Sequence, residues 1–480
     1  MRKVTPMEAE SFDWFVGRSA FKLPGLFVPR FWKPTLIQAS TSEPAVLNAV
    51  LALSTIHKSE TIDDRYTNRH MLANLGQFML LHYGKAMKQL QPDISTSDQS
   101  TIRVTIISCV VFVYIEFLRG RIQAGLTHLH YGLKLIQELP SPNHDSRLID
   151  ADHDVPLLDW AIEPLLRLYL QAMLLGQLSE PLHPAYSGVA YIDLPTAFAS
   201  PLQSRCYLDL LLARVLYLFN SPPLNNPPQP LTKTVRHYSE AQRIQLQLRI
   251  WLSASNATMA NVGKRATLRD RITYTSQLNF CAMATIMAAY LTRPSEMTYD
   301  AYTPGFLAML ERSIGLYKMS HVPGLKSAVL GIKAEFKSEP VIDIGWLPGL
   351  YFIAVRCRVP RIRHHAIALI RSSVHKEGMW HAELTACIAA EVARVEEIVF
   401  YSHVKLQSDF ELTDLPDIGE LREPTLPEWC RIQDLRVRLP GDPTGSATLT
   451  YRRNMSEHGA LVVEHRVYDL RGKQWTTGLD

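Results

Sequence analysis

Residues 355–380, VRCRVPRIRHHAIALIRSSVHKEGMW, hold six arginines or lysines and three histidines. Such a stretch admits three kinds of chemistry. Cationic groups can neutralise phosphates, imidazoles can move protons near neutrality, and charges can simply wet the outer side of a helix. Pro360 closes the preceding element and suits the first turn of a new one. At roughly 100° per residue, Ile362, Ala366, Leu369, Ile370 and Ser373 gather on one side. Arg361, His364, His365, Arg371, His375 and Lys376 fall within an arc of roughly 140° on the other. The expectation is an amphipathic helix with a basic outer face, mainly solvated surface and a candidate contact for a phosphate or an acidic partner.

An acidic partner exists within the chain. SDFELTDLPDIGELREPTLPE, residues 408–428, carries seven acids against one arginine and no helical stripe. Phe410, Leu412, Leu415, Ile418 and Leu421 are interleaved with its carboxylates. This is the acidic–apolar alternation of segments that fold on a partner, and it could lie across the basic helix. The plainer expectation is a connecting loop.

Other constellations fall short of a site. Asp150, Asp152 and Asp154 in DADHD begin like a calcium loop, but Val155 and Ala161 stand where glycine and glutamate are needed. His128 and His130 point to different helix sides, as do His364 and His365. No His-Glu-x-x-His, Gly-x-Ser-x-Gly, phosphate-cradling glycine loop or dinucleotide fingerprint occurs. Cys109, Cys206, Cys281, Cys357, Cys387 and Cys430 are at least 30 positions apart, so buried reduced thiols are expected rather than disulfides or a cysteine zinc site. No catalytic residue, cofactor or metal is expected.

The elements that must position these residues read as helices. SEPAVLNAVLALSTIHKSE opens on Ser42 and Pro44, and apolar residues then recur at spacings of three and four. Helices are expected at 71–90, at 102–138 with a break at 119–121, and at 157–176 and 206–219. Further ones are expected at 236–254, 268–291, 306–318, 342–357, 361–375 and 381–400. VTIISCVVFVYIEFL is too short for a transmembrane span and contains Glu116, which favours a core helix. Loops are expected at 138–156 and 220–232. RIQDLRVRL, ATLTYRRN and LVVEHRVYDL alternate apolar and polar residues and predict a small antiparallel sheet.

The fold class expected is therefore mainly α: packed antiparallel helices with a small C-terminal antiparallel β hairpin or meander. Its divisions are an N-terminal helical subdomain at 1–138, a second at 157–400, an acidic linker at 401–430 and a β tail at 431–480. With 47% hydrophobic and 20% charged residues the chain is globular. A net charge of +4 is small for a domain built to hold duplex DNA.

Three blocks resemble a known family. They are residues 10–59, the paired helices with HYGKAMKQL and HLHYGLKLIQEL, and GWLPGLYFIAVRCRVPRIRHHAIALIRSSVHKEGMW at 345–380. In order and wording they resemble the regulatory region of fungal zinc-binuclear-cluster transcription factors, from about residue 10 to 400. The resemblance implies an all-helical, non-catalytic regulatory domain in the nucleus of a filamentous fungus, with a cytoplasmic pool left open. It also implies protein partners, such as a full-length paralogue or the transcription machinery. Some members of the wider group sense small hydrophobic ligands. Neither sequence-specific DNA binding by this chain nor membrane association is expected.

Family members usually carry an N-terminal zinc cluster, with six cysteines packed into about 30–40 residues. The dispersed cysteines here cannot rebuild it, so the expectation is a regulator without its own DNA-binding module, associated with a secondary-metabolite gene cluster. The alternatives are a truncated gene model of a complete factor, and a helical ligand-binding or biosynthetic protein recruited from this scaffold. Metal analysis of the purified chain should find no stoichiometric zinc; one or two bound ions per chain would overturn the cysteine reading.

Overall fold

The computed structural model describes residues 4–25, 31–62, 69–90, 99–138, 162–178, 193–220, 231–321, 340–373, 376–401, 410–417, 419–421, 426–454, 456 and 459–477. The loops expected at 138–156 and 220–232 fall almost entirely outside them, as do Asp150, Asp152, Asp154, His375 and Ile418.

Local rules set the helix starts. In α1 (Pro6–Trp14), Glu8 N–H donates to Thr5 Oγ1 at 3.2 Å, and Glu8 Oε2 accepts from Thr5 N–H at 2.9 Å. This capping box satisfies two otherwise orphaned donors. Then follow α2 (Leu36–Ser42), α3 (Pro44–Thr61), α4 (Arg69–Leu90), α5 (Gln99–Leu118) and α6 (Ile122–Glu138). The break expected at 119–121 is real: Gly120 takes φ +72°, and α6 turns back along α5. By length and composition α5 could cross a bilayer, yet every residue from Thr105 to Leu118 is buried in the protein.

A second group comprises α7 (Ile162–Leu174), α8 (Pro201–Phe219), α9 (Leu231–Val262), α10 (Leu268–Thr292) and α11 (Thr303–His321). Helix α9 is longer than expected. Its apolar stripe fades after Trp251, but nothing breaks the backbone until Gly263, at φ +51°. Last come α12 (Leu347–Arg356), α13 (Pro360–Ser372), the hairpin β1 (Lys376–Glu377) and β2 (Trp380–His381), and α14 (Ala382–Phe400). Strands β3 (Gln433–Arg438), β4 (Ser446–Asn454), β5 (Leu461–Asp469) and β6 (Gln474–Thr477) form an antiparallel sheet in sequential order. The mainly α class with a C-terminal meander is thus what the chain adopts.

One continuous apolar core draws side chains from Phe15 to Tyr451 and from every helix group. Buried charge also crosses it. Arg167 of α7 meets Asp343 at 3.1 Å, Glu163 at 3.0 Å and Asp209 of α8 at 3.4 Å. The sheet is fastened to the helices by Gln177, whose side chain donates to Val437 O at 2.7 Å and accepts from Leu439 N–H at 3.1 Å.

The β1–β2 hairpin, not foreseen from sequence, caps α12. Its Glu377 carboxylate is buried and accepts N–H bonds from Gly345, Trp346 and Leu347 at 2.9–3.1 Å. A carboxylate here satisfies orphaned donors and faces the positive end of the helix. The contact needs glycine at two places. A Cβ on Gly345 would lie 2.6 Å from Glu377 Oε1, and Gly378 turns at φ +57° with Ile342 O 2.8 Å from where its Cβ would be.

Gly345→Ala should therefore cost about 1–3 kcal/mol of unfolding free energy in urea titration. Gly84→Ala, mid-helix with open space around it, should instead gain about 0.5–1 kcal/mol.

Candidate interaction site

The turn between α12 and α13 aims arginines inward. Arg356, Arg358 and Arg363 meet Glu296, from the 3₁₀ turn Glu296–Tyr302, and Glu396 and Glu397 of α14. Arg358 Nη2 bridges Glu296 Oε2 at 2.7 Å and Glu396 Oε1 at 2.9 Å. Arg363 pairs with Glu396 and Glu397 and donates through Nε to Ala354 O at 2.8 Å. Arg356 reaches Glu296 Oε1 at 2.9 Å and covers the Tyr299 ring. Three guanidiniums thus balance three carboxylates. Glu396 is the hub: it also accepts the Ile432 N–H at 2.8 Å, where the chain enters β3. Burial alone would raise its pKa, but Arg358 and Arg363 overcome that and hold it at about 2. Arg431 continues the lattice, donating to both oxygens of Asp300 at 2.9 and 2.7 Å.

The expected basic face is divided by what covers it. Arg361 and His365 are buried, which corrects their assignment to the outer side. The acidic segment lies across them. Arg361 Nε donates to Glu420 Oε1 at 3.2 Å, and its guanidinium sits 4.0 Å from the centre of the Phe410 ring. Arg361 Nη1 and His365 Nδ1 are 2.7 Å apart, and His365 Nε2 lies 3.1 Å from Leu412 O. Arginine only donates and a carbonyl only accepts, so the network assigns His365 as the neutral Nε2–H tautomer. Burial first, and Arg361 as well, lower its pKa to about 4, against the Leu412 carbonyl. Leu412 and Leu421 pack on the core, while Leu415 is exposed.

The remaining members of the face differ in their partners. His364, at the surface, lies 2.8 Å from Glu397 Oε2. Lys376 pairs with Glu60 at 2.9 Å. Arg371 is exposed and has no ion-pair partner among the described residues. Beside it, α13 and α14 border an open groove of about 440 Å³.

Sequence reasoning missed the inward arginines because polarity was read as exposure. The available signal lay in α14, where Glu396 and Glu397 interrupt an apolar run of Ile388, Ala389, Val392, Ala393 and Val395. Acids at such positions call for buried cations. The remaining candidates occupy ordinary structural places. His128 lies 2.9 Å from the Tyr83 hydroxyl, its pKa lowered chiefly by burial, and His130 is exposed. All six cysteines are free thiols, and burial pushes Cys109, Cys206 and Cys281 up to about 12. Among the described residues no three His, Cys, Asp or Glu side chains gather as a metal site.

Comparison with known proteins gives two matches. The fungal specific transcription factor domain matches residues 19–292, more than half of the chain. The aspercryptin biosynthesis cluster-specific transcription regulator atnN of Emericella nidulans is 40% identical over 65 residues, covering 13% of this chain and 11% of that protein. No solved structure matches.

Glu396→Gln should leave Arg358 with Glu296 alone and Arg363 with Glu397 alone, one carboxylate short, and cost about 3–5 kcal/mol in urea unfolding. Because Glu396 titrates lower in the folded state, its contribution is complete above the ordinary carboxylate range, near pH 4.5, and fades as pH falls toward 2. The variant should lose that part of the slope of stability against pH between about 4.5 and 3.

Proposed function

The chain belongs to the fungal specific transcription factor domain family, and we propose from that premise that it is a nuclear regulator of a biosynthetic gene cluster. It works through protein contacts rather than by reading DNA with these 480 residues. Such partners include a full-length paralogue and the transcription machinery. The segment shared with a cluster-specific regulator supports the target class.

The observation that carries the partner-dependent reading is the fate of the basic stretch. Arg356, Arg358 and Arg363 are committed to Glu296, Glu396 and Glu397, and Arg361 to Glu420. Guanidiniums already paired inside a protein cannot displace the counterions of a phosphate backbone. The dispersed cysteines likewise supply no compact zinc module.

A non-catalytic role is supported by the one serine–histidine contact among the described residues that suggests a nucleophile and base. Ser19 Oγ and His57 Nδ1 are 2.8 Å apart, but both side chains are sealed from solvent. Burial first, then Arg18 and Lys22, lower His57 to about 3, far from a base poised at neutral pH.

Fused to a heterologous DNA-binding module, the chain should change transcription of a reporter carrying that module's site. Alone, it should retard duplex DNA only weakly, without sequence preference, and release it as salt is raised. A salt-resistant, sequence-selective shift would overturn the absence of a DNA reader; an unchanged reporter would overturn action through partners.

A further inference from the structure

Helix α13 has two long edges, and the chain covers one of them itself. Along Arg361 and His365 lies the protein's own acidic–apolar segment, with a carboxylate on the guanidinium, an aromatic ring beneath it and leucines directed to the core. The other edge, with His364, Ile367 and Arg371, borders the 440 Å³ groove against α14. The groove repeats the chemistry of the covered edge. Ile367 and Tyr401 are buried beside it, and Ile398 stands 53% exposed.

The charged groups around the groove differ in their partners among the described residues. Arg394 is held by both oxygens of Glu391, at 2.8 and 2.6 Å. Glu397 is held by Arg363 and His364. Arg371 has no such partner among the described residues, and its guanidinium stands at the rim of the apolar surface. A duplex backbone needs several cations in series, whereas this arrangement suits a single carboxylate beside apolar side chains.

We propose that the α13–α14 groove is a docking site for an extended acidic–apolar segment of a protein partner, with an Asp or Glu of that segment on Arg371 and its apolar side chains over Ile367 and Ile398. The partner segment is of the same chemical kind as residues 410–421, and it binds the opposite edge of the same helix. The two residues that would make the new contacts, Arg371 and Ile398, lie outside the buried network, while Glu397, which also lines the groove, stays paired with Arg363 and His364. Peptide binding in vitro and control of transcription in the cell are read by different experiments, so either can fail alone.

The test uses the full chain and a fluorescein-labelled peptide, SDFELTDLPDIGEL, added in trans and followed by anisotropy. Saturable binding is expected with a Kd on the order of 1–100 µM. Arg371→Glu and Ile398→Asp should each weaken it by about tenfold or more, with circular dichroism confirming that both exposed-site variants fold. A peptide with its acids replaced by Asn and Gln should bind correspondingly worse. Four results would overturn the proposal. These are no saturable binding, binding by both variants as tight as by the wild-type chain, or loss of binding on Arg361→Gln but not on Arg371→Glu, which would place the peptide on the edge the chain already covers. The fourth is duplex DNA displacing the peptide from the wild-type chain but not from Arg371→Glu, which would make the groove a nucleic-acid contact.

Discussion

A carboxylate removed from water must find cations, and Glu396 finds two. Arg358 and Arg363 reach it from the turn and first helical residues after α12, and the Ile432 amide reaches it from the sheet entrance. Moving one such ion into a protein interior costs several kcal/mol, which only close pairing offsets. One requirement of charge balance therefore ties α12, α13, α14, the Glu296–Tyr302 turn and the entrance to β3 together, on top of the apolar core they share. Apolar packing alone would tolerate small shifts of these elements. The ion lattice specifies one geometry, because guanidinium–carboxylate pairs are directional.

With that lattice in place, α13 becomes a helix with no ordinary wet side. Its inner face is apolar and cationic, one edge is roofed by residues 410–417 and 419–421, and the other meets α14 across the groove. The roof depends on His365 being neutral, since its Nδ1 must accept from Arg361 while Nε2 donates to Leu412 O. A second proton would set two donors against each other. Between the ordinary histidine range and about pH 4 the roof therefore loses part of its hold as acid increases, whereas the Glu396 contribution fades only below about pH 4.5. The interior of this region responds to acid in two stages, each belonging to a different contact.

Much of the fold is legible in the sequence because burial leaves periodic traces. The helix α3, the turn at Gly120 and the strand β5 all form where local rules put them, although α3 is buried nearly all round, polar Asn48, Ser54, Thr55 and His57 included, and Leu461, Val462 and Val463 stay exposed. Helix α5 shows no one-sided pattern, and its burial, not its length or composition, identifies it as a core element. The site was less legible. The acidic segment does cover the basic helix, a pairing suggested by opposite charge alone. Yet helical spacing puts Arg361 and His365 on the outer side, and it does not tie Arg356, Arg358 and Arg363 to their acids. Helical spacing states which residues share a side; it does not state that a carboxylate 33 positions later will make a cation's burial tolerable. The Glu377 cap was missed for the same reason, since its three donors begin 30 positions away from it.

That cap has a consequence for how the chain can be divided. The first turn of α12 has no side-chain cap from its own neighbourhood; Trp346 precedes Pro348, and the donors of residues 345–347 are closed by Glu377. Helix, intervening α13 and hairpin thus close a loop whose two ends stabilise each other. Its closure entropy is modest for this length, but it is recovered only once the hairpin has formed. Residues 345–381 are accordingly a unit of assembly, and a proteolytic cut or splice within them would unseat α12 even if every residue of the helix were present.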